Sequence, residues 1–137
     1  AEVLVFEGWC LGVQPQPEDL LQQPVNELER LEDPQRTWRQ WCNRQIRQHY
    51  QGLWEFVNAW MLLQPADFAQ VIEWRRQQEM DLAPAQRMSE AALQRFIQHY
   101  ERLTRWQWQQ PSVGEGLGID LTVGHQIAAM RALGRPS

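Results

Sequence analysis

The chain contains no lysine, since all 13 of its basic residues are arginine. The phosphate-binding loop of many nucleotide-binding proteins, G-x-x-x-x-G-K-[ST], needs a lysine that reaches the β- and γ-phosphates. This absence excludes that loop from the 137 residues. The basic residues are also scattered and the formal net charge is −4. Nonspecific nucleic-acid binding requires a basic face, so the charge pattern excludes that class as well.

Cysteine is scarce and long apolar runs are missing. Two cysteines, Cys10 and Cys42, cannot build the disulfide framework of a small secreted protein, and we expect both to be buried free thiols. No run approaches the 18 apolar residues typical of a membrane span, and no charged-then-apolar leader is present. These features predict a cytoplasmic protein without a membrane partner, with an organellar leader on a longer chain as the alternative.

Tryptophan, by contrast, is abundant: the chain has eight, with 43% hydrophobic and 22% charged residues. Indole rings carry a large apolar surface and are rarely left free in water. The composition therefore predicts one globular domain with a single hydrophobic core.

The N-terminal residues favour a buried strand. Val3–Phe6 is continuously apolar, which is typical of a strand buried on both faces, and residues 1–9 are predicted as a strand with Glu7 at its carboxyl end. Because the run starts beside residue 1 with no lead-in, the sequence favours the back portion of a larger nucleotide-binding domain. Residues 12–34 contain four prolines and predict a loop with a short helix at Pro17–Leu21.

The remaining sequence alternates between helical and strand-like patterns. Apolar residues at three- and four-residue spacing predict helices over 35–52, 66–82 and 88–110, with Ser89 as an N-cap. An apolar run predicts a strand over 56–64, with a helix as the alternative. Residues 116–137 are a weakly defined end, in which we expect a short strand at 117–121 and a short helix at 125–133. The order indicates an α/β fold.

Two groups of side chains are candidates for chemistry. Glu7 follows a predicted buried strand, where many nucleotide-binding proteins place the acid that orders magnesium; a loop-capping carboxylate is the alternative. Arg75 continues the apolar stripe of its helix, and neighbouring Arg76 projects about 100° away. A guanidinium on such a stripe needs a carboxylate or a phosphate. Spacing alone favours an ion pair with Glu79, and a phosphate-clamping lid helix is the alternative.

Five segments together resemble a known family. They are FEGW at 6–9, PVNELE at 24–29, the aromatic stretch 50–60, WRRQQE at 74–79, and MSE at 88–90 with FIQHY at 96–100. In this order they resemble the C-terminal part of the D-glycerate 3-kinase family. These P-loop kinases are related to phosphoribulokinase, uridine kinase and bacterial pantothenate kinase. The resemblance covers residues 1 to about 112 and weakens beyond, where glycines interrupt the expected closing strand.

The resemblance implies a helix-rich, partial P-loop kinase fold of the parallel three-layer α/β type, without its N-terminal phosphate-loop portion. The intact protein would transfer the γ-phosphoryl group of ATP, with magnesium, to a hydroxyl of a small hydroxy acid, glycerate first among them. Glu7 would order the magnesium, indirectly. Arg75, and less directly Arg76, would come from a lid to neutralise phosphate charge. Asn26 and Glu29 would border the acceptor.

The same resemblance implies that the chain alone is inactive, since the phosphate loop and the family's acidic pair lie outside these residues. We then expect no ATP or magnesium on the chain alone, and either a homo-oligomer or pairing with the missing N-terminal part. A non-enzymatic kinase remnant, acting as a helical interaction or dimerisation module, is the second hypothesis. An unrelated tryptophan-rich helical binding protein is the third.

Overall fold

A computed structural model describes residues 2–110 and 114–134 of the chain. Five α-helices and three strands form in these residues, together with short 3₁₀ turns at Glu18–Leu21 and Pro84–Gln86. The helices are α1 (Glu27–Glu32), α2 (Thr37–Gln45), α3 (Gln51–Trp54), α4 (Phe68–Met80) and α5 (Glu90–Gln109), and the strands are β1 (Trp60–Pro65), β2 (Gly116–Leu121) and β3 (Ile127–Leu133). Among the residues described, no helix has the length and apolar character to cross a membrane.

The strands form one mixed sheet in the order β1-β2-β3. β1 and β2 are parallel, with Trp60 opposite Gly116 and Pro65 opposite Leu121. The chain leaves β1, runs through α4 and α5, and returns as β2, which is the helical crossover that parallel neighbours require. β3 is antiparallel to β2. The α/β class predicted from the sequence is therefore confirmed, with one antiparallel strand added.

α5 lies at the centre of the helical region. The buried core joins Phe68 of α4 to Leu93 and Ile97 of α5, and Ile97 is fully buried. α1 contacts α5 through Asn26 and Gln98, whose backbone carbonyl accepts a 2.8 Å hydrogen bond from the Asn26 amide. Trp38 of α2 meets His99 of α5 edge-on at 5.6 Å between ring centroids. The apolar stripe predicted on the helix over 88–110 is thus the main packing surface.

Local capping fixes where α4 and α5 begin. Asp67 accepts a hydrogen bond from the Gln70 N–H at 2.9 Å, and Ser89 accepts one from the Ala92 N–H at 3.2 Å. Both residues have extended backbone, as N-cap residues require. The helix predicted over 66–82 is therefore α4, which begins at Phe68, three residues after the end of β1 at Pro65.

The helix predicted over 35–52 runs continuously from residue 37 to residue 54, with a π-helical segment at Ile46–Tyr50 between α2 and α3. Gly52 lies inside α3 and does not end the helix. The strand predicted over 56–64 is a strand, but it begins at Trp60, and its helical alternative is wrong.

The strand predicted over residues 1–9 is wrong. Residues 2–8 have no regular secondary structure, and Val3–Phe6 is 69–88% exposed instead of buried. A strand needs a hydrogen-bonded neighbour, and none of the described residues pairs with this segment. Cys10 consequently lies within a turn at residues 9–12, with a φ of 61°.

The short helix predicted over 125–133 is also wrong. Ile127–Leu133 is strand β3, joined to β2 by a tight turn in which His125 has a φ of 60°. The predicted strand at 117–121 is confirmed as β2. Of the weakly defined end, residues 135–137 lie outside the described part of the chain.

Candidate functional site

A row of ring contacts on α5 joins two of the predicted site segments. Trp9 stacks on Tyr100 with ring centroids 4.4 Å apart and planes inclined by 9°. Tyr100 meets Phe96 at 5.2 Å, and the Arg75 guanidinium lies 5.3 Å above the Phe96 ring. The Trp9 indole N–H also donates to the Thr104 hydroxyl at 3.0 Å. We call Trp9, Tyr100, Phe96 and Arg75 the aromatic row.

The aromatic row holds the FEGW segment and the WRRQQE helix against the same helix. α5 supplies Phe96 and Tyr100 one turn apart, which places both rings on one face. Glu7 lies two residues before Trp9. Its side chain is exposed, and the described residues around it, 2–8, have no regular secondary structure. The row thus anchors the segment that carries Glu7 while leaving its carboxylate in solvent.

Arg75 forms the ion pair that its spacing favoured. Its Nη2 lies 2.6 Å from Oε1 of Glu79, one turn along α4, and the side chains are 29% and 6% exposed. The second Glu79 oxygen accepts a 2.7 Å hydrogen bond from the Met88 N–H. The pair therefore ties the end of α4 to the start of α5. The Nε of Arg75 is buried without a hydrogen-bond partner.

Arg76 lies on the outer surface and pairs with carboxylates of two elements. Its guanidinium donates to both Glu90 oxygens, at 2.7 and 3.1 Å, and also contacts Glu73. The hydrogen bond from Arg76 lowers the pKa of Glu90 to about 2. The same bond raises the pKa of the Arg76 guanidinium. In this conformation both arginines of α4 are bound to carboxylates.

Asn26 holds a structural position at the start of α1. Its side-chain oxygen accepts from the Glu29 N–H at 3.0 Å, which caps the helix. Its amide nitrogen donates to the Gln98 carbonyl at 2.8 Å and to Glu101 at 3.2 Å. The two contacts of the amide nitrogen join α1 to α5.

Glu29 is buried in an ion pair with Arg102 of α5. The two carboxylate oxygens accept from Arg102 Nε and Nη2, each at 2.7 Å, and the side chains are 2% and 7% exposed. Arg102 also donates to the carbonyls of Leu20 and Gln23, at 3.0 and 2.6 Å. Val25 N–H donates to Glu29 at 3.0 Å. This network satisfies both charges, as burial requires.

Sequence reasoning missed Arg102 and a second buried pair, Arg39 with Asp33. Arg39 Nη1 lies 3.0 Å from Asp33, and both side chains are less than a tenth exposed. Asp33 also accepts from the backbone N–H groups of Trp38 and Arg39, which caps α2. Glu29 and Arg102 are separated by 73 residues, so no local spacing could have revealed their pairing.

The surroundings of Cys42 and Cys10 argue against a reactive thiol at either position. A cavity of about 30 Å³ lies beside Glu29, Arg102 and Cys42, which is room for roughly one water molecule. Burial raises the pKa of the Cys42 thiol, with a further rise from Asp33. Burial also raises the pKa of Cys10 to about 11. Both thiols are therefore protonated and weakly nucleophilic near neutral pH.

Polar side chains cross the carboxyl half of the parallel strands. Arg131 of β3 donates to Gln64 of β1 at 2.8 Å and contacts Asp120 of β2. Gly118 leaves room for this reach, because an added Cβ there would lie 2.9 Å from the Arg131 side chain. In open α/β sheets, ligands bind beyond the carboxyl ends of the strands.

At the same edge, α4 is fastened to the β2–β3 turn. Trp74 stacks on His125 with centroids 4.4 Å apart, and its indole N–H donates to the Val123 carbonyl at 3.1 Å. Sequence reasoning gave His125 no role beyond packing. The structure therefore brings Trp74 of the WRRQQE motif to the carboxyl edge, while Arg75 points toward α5.

The predicted site residues fall into two places. Asn26 and Glu29 meet at the start of α1, and Arg75 and Arg76 lie on α4. No hydrogen bond or ion pair between these four described residues joins one pair to the other. Glu7 is linked to Arg75 only through the aromatic row. Within residues 2–110 and 114–134, no cluster of three or more metal-ligating side chains occurs.

Comparisons of sequence and of structure both find a similarity to D-glycerate 3-kinases. The chain is 26% identical over 100 residues to the chloroplastic D-glycerate 3-kinase of Arabidopsis thaliana. Its fold superposes on D-glycerate 3-kinase from Cryptococcus neoformans var. grubii with a TM-score of 0.74 and 26% identity, over 93% of this chain. A YGR205w protein matches with a TM-score of 0.59 at 14% identity, which supports the fold alone. No family model matches.

The matched regions are unequal parts of the proteins compared. The alignment to the Arabidopsis protein covers 72% of this chain and 20% of the relative. The superposition covers 48% of the Cryptococcus protein and 47% of the YGR205w protein. This chain therefore spans about half the length of the solved structures that it resembles, and a smaller share of the curated relative.

Proposed function

We propose, from the D-glycerate 3-kinase-like sequence and fold, that this chain supplies part of an ATP-dependent kinase for a small hydroxy acid, with glycerate as the leading acceptor. The observation that carries the proposal is the agreement of two comparisons, each at 26% identity, with proteins of that name. The order of FEGW, PVNELE and WRRQQE in the sequence, which resembles that of the family, supports it further.

ATP would supply the γ-phosphoryl group, and bound magnesium would neutralise part of the phosphate charge. On this proposal Glu7 orders the ion through water. Its exposed carboxylate is free to do so, and the stack of Trp9 on Tyr100 holds the adjoining backbone in place.

Arg75 and Arg76 would serve as the phosphate-facing arginines of α4. Arg76 is 39% exposed, and its partners Glu73 and Glu90 are about half exposed, so exchanging a carboxylate for a phosphate there would cost little. Arg75 is held more firmly, because Glu79 is nearly buried and also binds the Met88 N–H. Arg76 is therefore the better-placed of the two, which reverses the order that the sequence favoured.

Asn26 and Glu29 would not contact the acceptor themselves but would hold in place the loop that borders it. Each is occupied by hydrogen bonds to α5 or to its own helix. They fix the loop before α1, and that loop would border the acceptor.

The chain alone is proposed to be inactive, because no lysine-containing phosphate loop exists in it. A cytoplasmic location stays a prediction, and the Arabidopsis relative is chloroplastic by name. A role as a dimerisation module is the second candidate, favoured by the exposed apolar residues of the N-terminal segment and the sheet.

The test is an ADP-release assay on the product of the complete reading frame that contains this sequence. With ATP and Mg²⁺, we expect ADP formation that depends on D-glycerate and falls for hydroxy acids of other shape. The 137-residue chain, assayed in parallel, should release none. Absence of acceptor-dependent ADP release from the complete product, with its fold verified by circular dichroism, would contradict the proposal.

A further inference from the structure

One face of the sheet exposes a patch of apolar side chains. Met61, Leu63, Ile127 and Met130 are 67%, 55%, 58% and 62% exposed. The register places Leu63 and Met130 on either side of Ile119, and Met61 two residues before Leu63 shares their face. Sheets with parallel strands are normally covered on both faces, so this face lacks a layer in the isolated chain.

β1 also has a free edge within the described sheet. The Trp60 N–H donates to the Glu115 carbonyl at 2.9 Å, so the backbone of Trp60 points toward β2. Backbone groups alternate along a strand, and those of Met61 and Leu63 therefore point away from β2. Such an edge can accept another strand, and Trp60–Pro65 contains no charged residue that would repel one.

The N-terminal segment has the complementary properties. Val3, Leu4, Val5 and Phe6 are 79%, 88%, 83% and 69% exposed, and they pair with no strand among the described residues. β-branched and aromatic residues favour strands. The segment is likewise uncharged. The same chain thus contains an unpaired strand-forming segment and an unpaired strand edge.

We propose that two copies of this chain associate by reciprocal strand addition, in which Val3–Phe6 of each copy pairs with the β1 edge of the other. A twofold arrangement makes both contacts at once, because each copy donates one segment and accepts one. Alternate side chains of the added segment then lie beside Met61 and Leu63 and extend the apolar face. Direct pairing of two β1 edges would leave Val3–Phe6 in water, so strand addition accounts for both exposed features.

The test is sedimentation equilibrium of the purified chain over a wide concentration range. We expect a monomer–dimer equilibrium whose dissociation constant rises about tenfold or more in Val5→Pro and in Leu63→Lys. Proline removes a ladder N–H from the added segment, and the lysine places a charge beside it. Leu31→Lys on α1 is the matched control, since Leu31 is 60% exposed and lies away from the sheet; its dimer should be unchanged.

Circular dichroism verifies that each variant is folded. Because Val5 is 83% exposed and lies in no described strand or helix, Val5→Pro should retain the melting temperature of the dilute wild type. A monomer at every concentration would overturn the proposal. So would a dimer that Val5→Pro leaves intact, which would indicate direct pairing of the β1 edges or binding through another face. A dimer weakened equally by Leu31→Lys would overturn it as well.

Discussion

The helical region around α5 and the three-stranded sheet differ in how completely their surfaces are used. Around α5, buried charges are paired, helix ends are capped, and Leu93 and Ile97 are at most 2% exposed. On the sheet, Met61 and Met130 are more than 60% exposed. This chain spans about half the length of the solved structures that it resembles. Its helical core is nevertheless well buried, whereas one face of its sheet is exposed.

This difference shows that a likeness of fold does not by itself assign an activity. The helical region contains the matched PVNELE and MSE segments and is stabilised from within. The carboxyl edge of the sheet, where an α/β kinase binds its ligands, is formed here by two parallel strands and one antiparallel strand. The comparisons therefore show a likeness to D-glycerate 3-kinases, and the activity of the protein stays a proposal.

Removal of the Arg102 side chain would break the helical side of the comparison most strongly. Arg102→Ala leaves Glu29 charged and 2% exposed without its partner, and we expect a loss of about 3–5 kcal/mol in the free energy of unfolding. Urea denaturation measures it. Arg95→Ala is the control, because the Arg95–Glu32 pair is more than half exposed and its loss should lower the free energy of unfolding far less. Equal losses in the two variants would contradict the account.

Two glycine substitutions compare the junction between the regions with the helical region itself. Gly12 has a φ of 78°, and a Cβ there would lie 2.8 Å from the Trp60 ring of β1; Gly12→Ala should cost about 1–3 kcal/mol. Gly52 lies in α3 with no atom within 4 Å of an added Cβ, so Gly52→Ala should stabilise by about 0.5–1 kcal/mol. Thermal melting of both variants gives the two signs. A stabilising Gly12→Ala would show that the tight contact at Trp60 is absent, and a destabilising Gly52→Ala would contradict the open space beside Gly52.

Arg75→Ala sharpens the distinction between a structural ion pair and a phosphate ligand. As a structural pair, its loss leaves the nearly buried Glu79 carboxylate short of one donor, which should cost about 1–3 kcal/mol in unfolding free energy. Arg76→Ala, on the exposed side of the same helix, should cost less stability. On the proposed kinase function, we expect Arg76→Ala in the product of the complete reading frame to lower turnover more than it lowers the melting temperature. An unchanged turnover in Arg76→Ala would remove it from the phosphate-binding role.

The smallest effect is a pH dependence at the junction of α4 and α5. Hydrogen bonds from Arg76 depress the pKa of Glu90 from its ordinary value of 4.5 to about 2 in the folded chain. The stability that Glu90 contributes is therefore present above pH 4.5 and lost as the pH falls from 4.5 through 2. Melting temperatures of wild type and Glu90→Gln should converge across that window. A constant difference from neutral pH to pH 2 would contradict the assignment.

Periodicity revealed those elements whose stability is local. The stripes of α4 and α5 and the Ser89 cap of α5 were readable, because a cap acts within one turn of the helix that it begins. The Arg75–Glu79 pair was readable for the same reason. β3 was not, since its alanine-rich sequence favours a helix, and pairing with β2 overrides that preference.

Features that depend on distant partners could not be predicted. Val3–Phe6 reads as a buried strand, but burial requires neighbours that none of the described residues supplies. Asn26 and Glu29 were assigned by resemblance to the acceptor border, and their bonds to Gln98 and Arg102 became visible only in the fold. In both cases the structure depends on pairing between residues far apart in the sequence, which local sequence patterns do not show.

Amide hydrogen exchange, measured at low and high protein concentration, tests the contrast between the two regions most directly. We predict slow exchange for Leu93–Thr104 of α5 at every concentration. Val3–Phe6, Met61 and Leu63 should exchange rapidly in dilute solution and slowly in concentrated solution, as their free backbone groups find a second copy. Slow exchange of Val3–Phe6 at every concentration, or protection of α5 that depends equally on concentration, would contradict a finished helical core beside an open sheet.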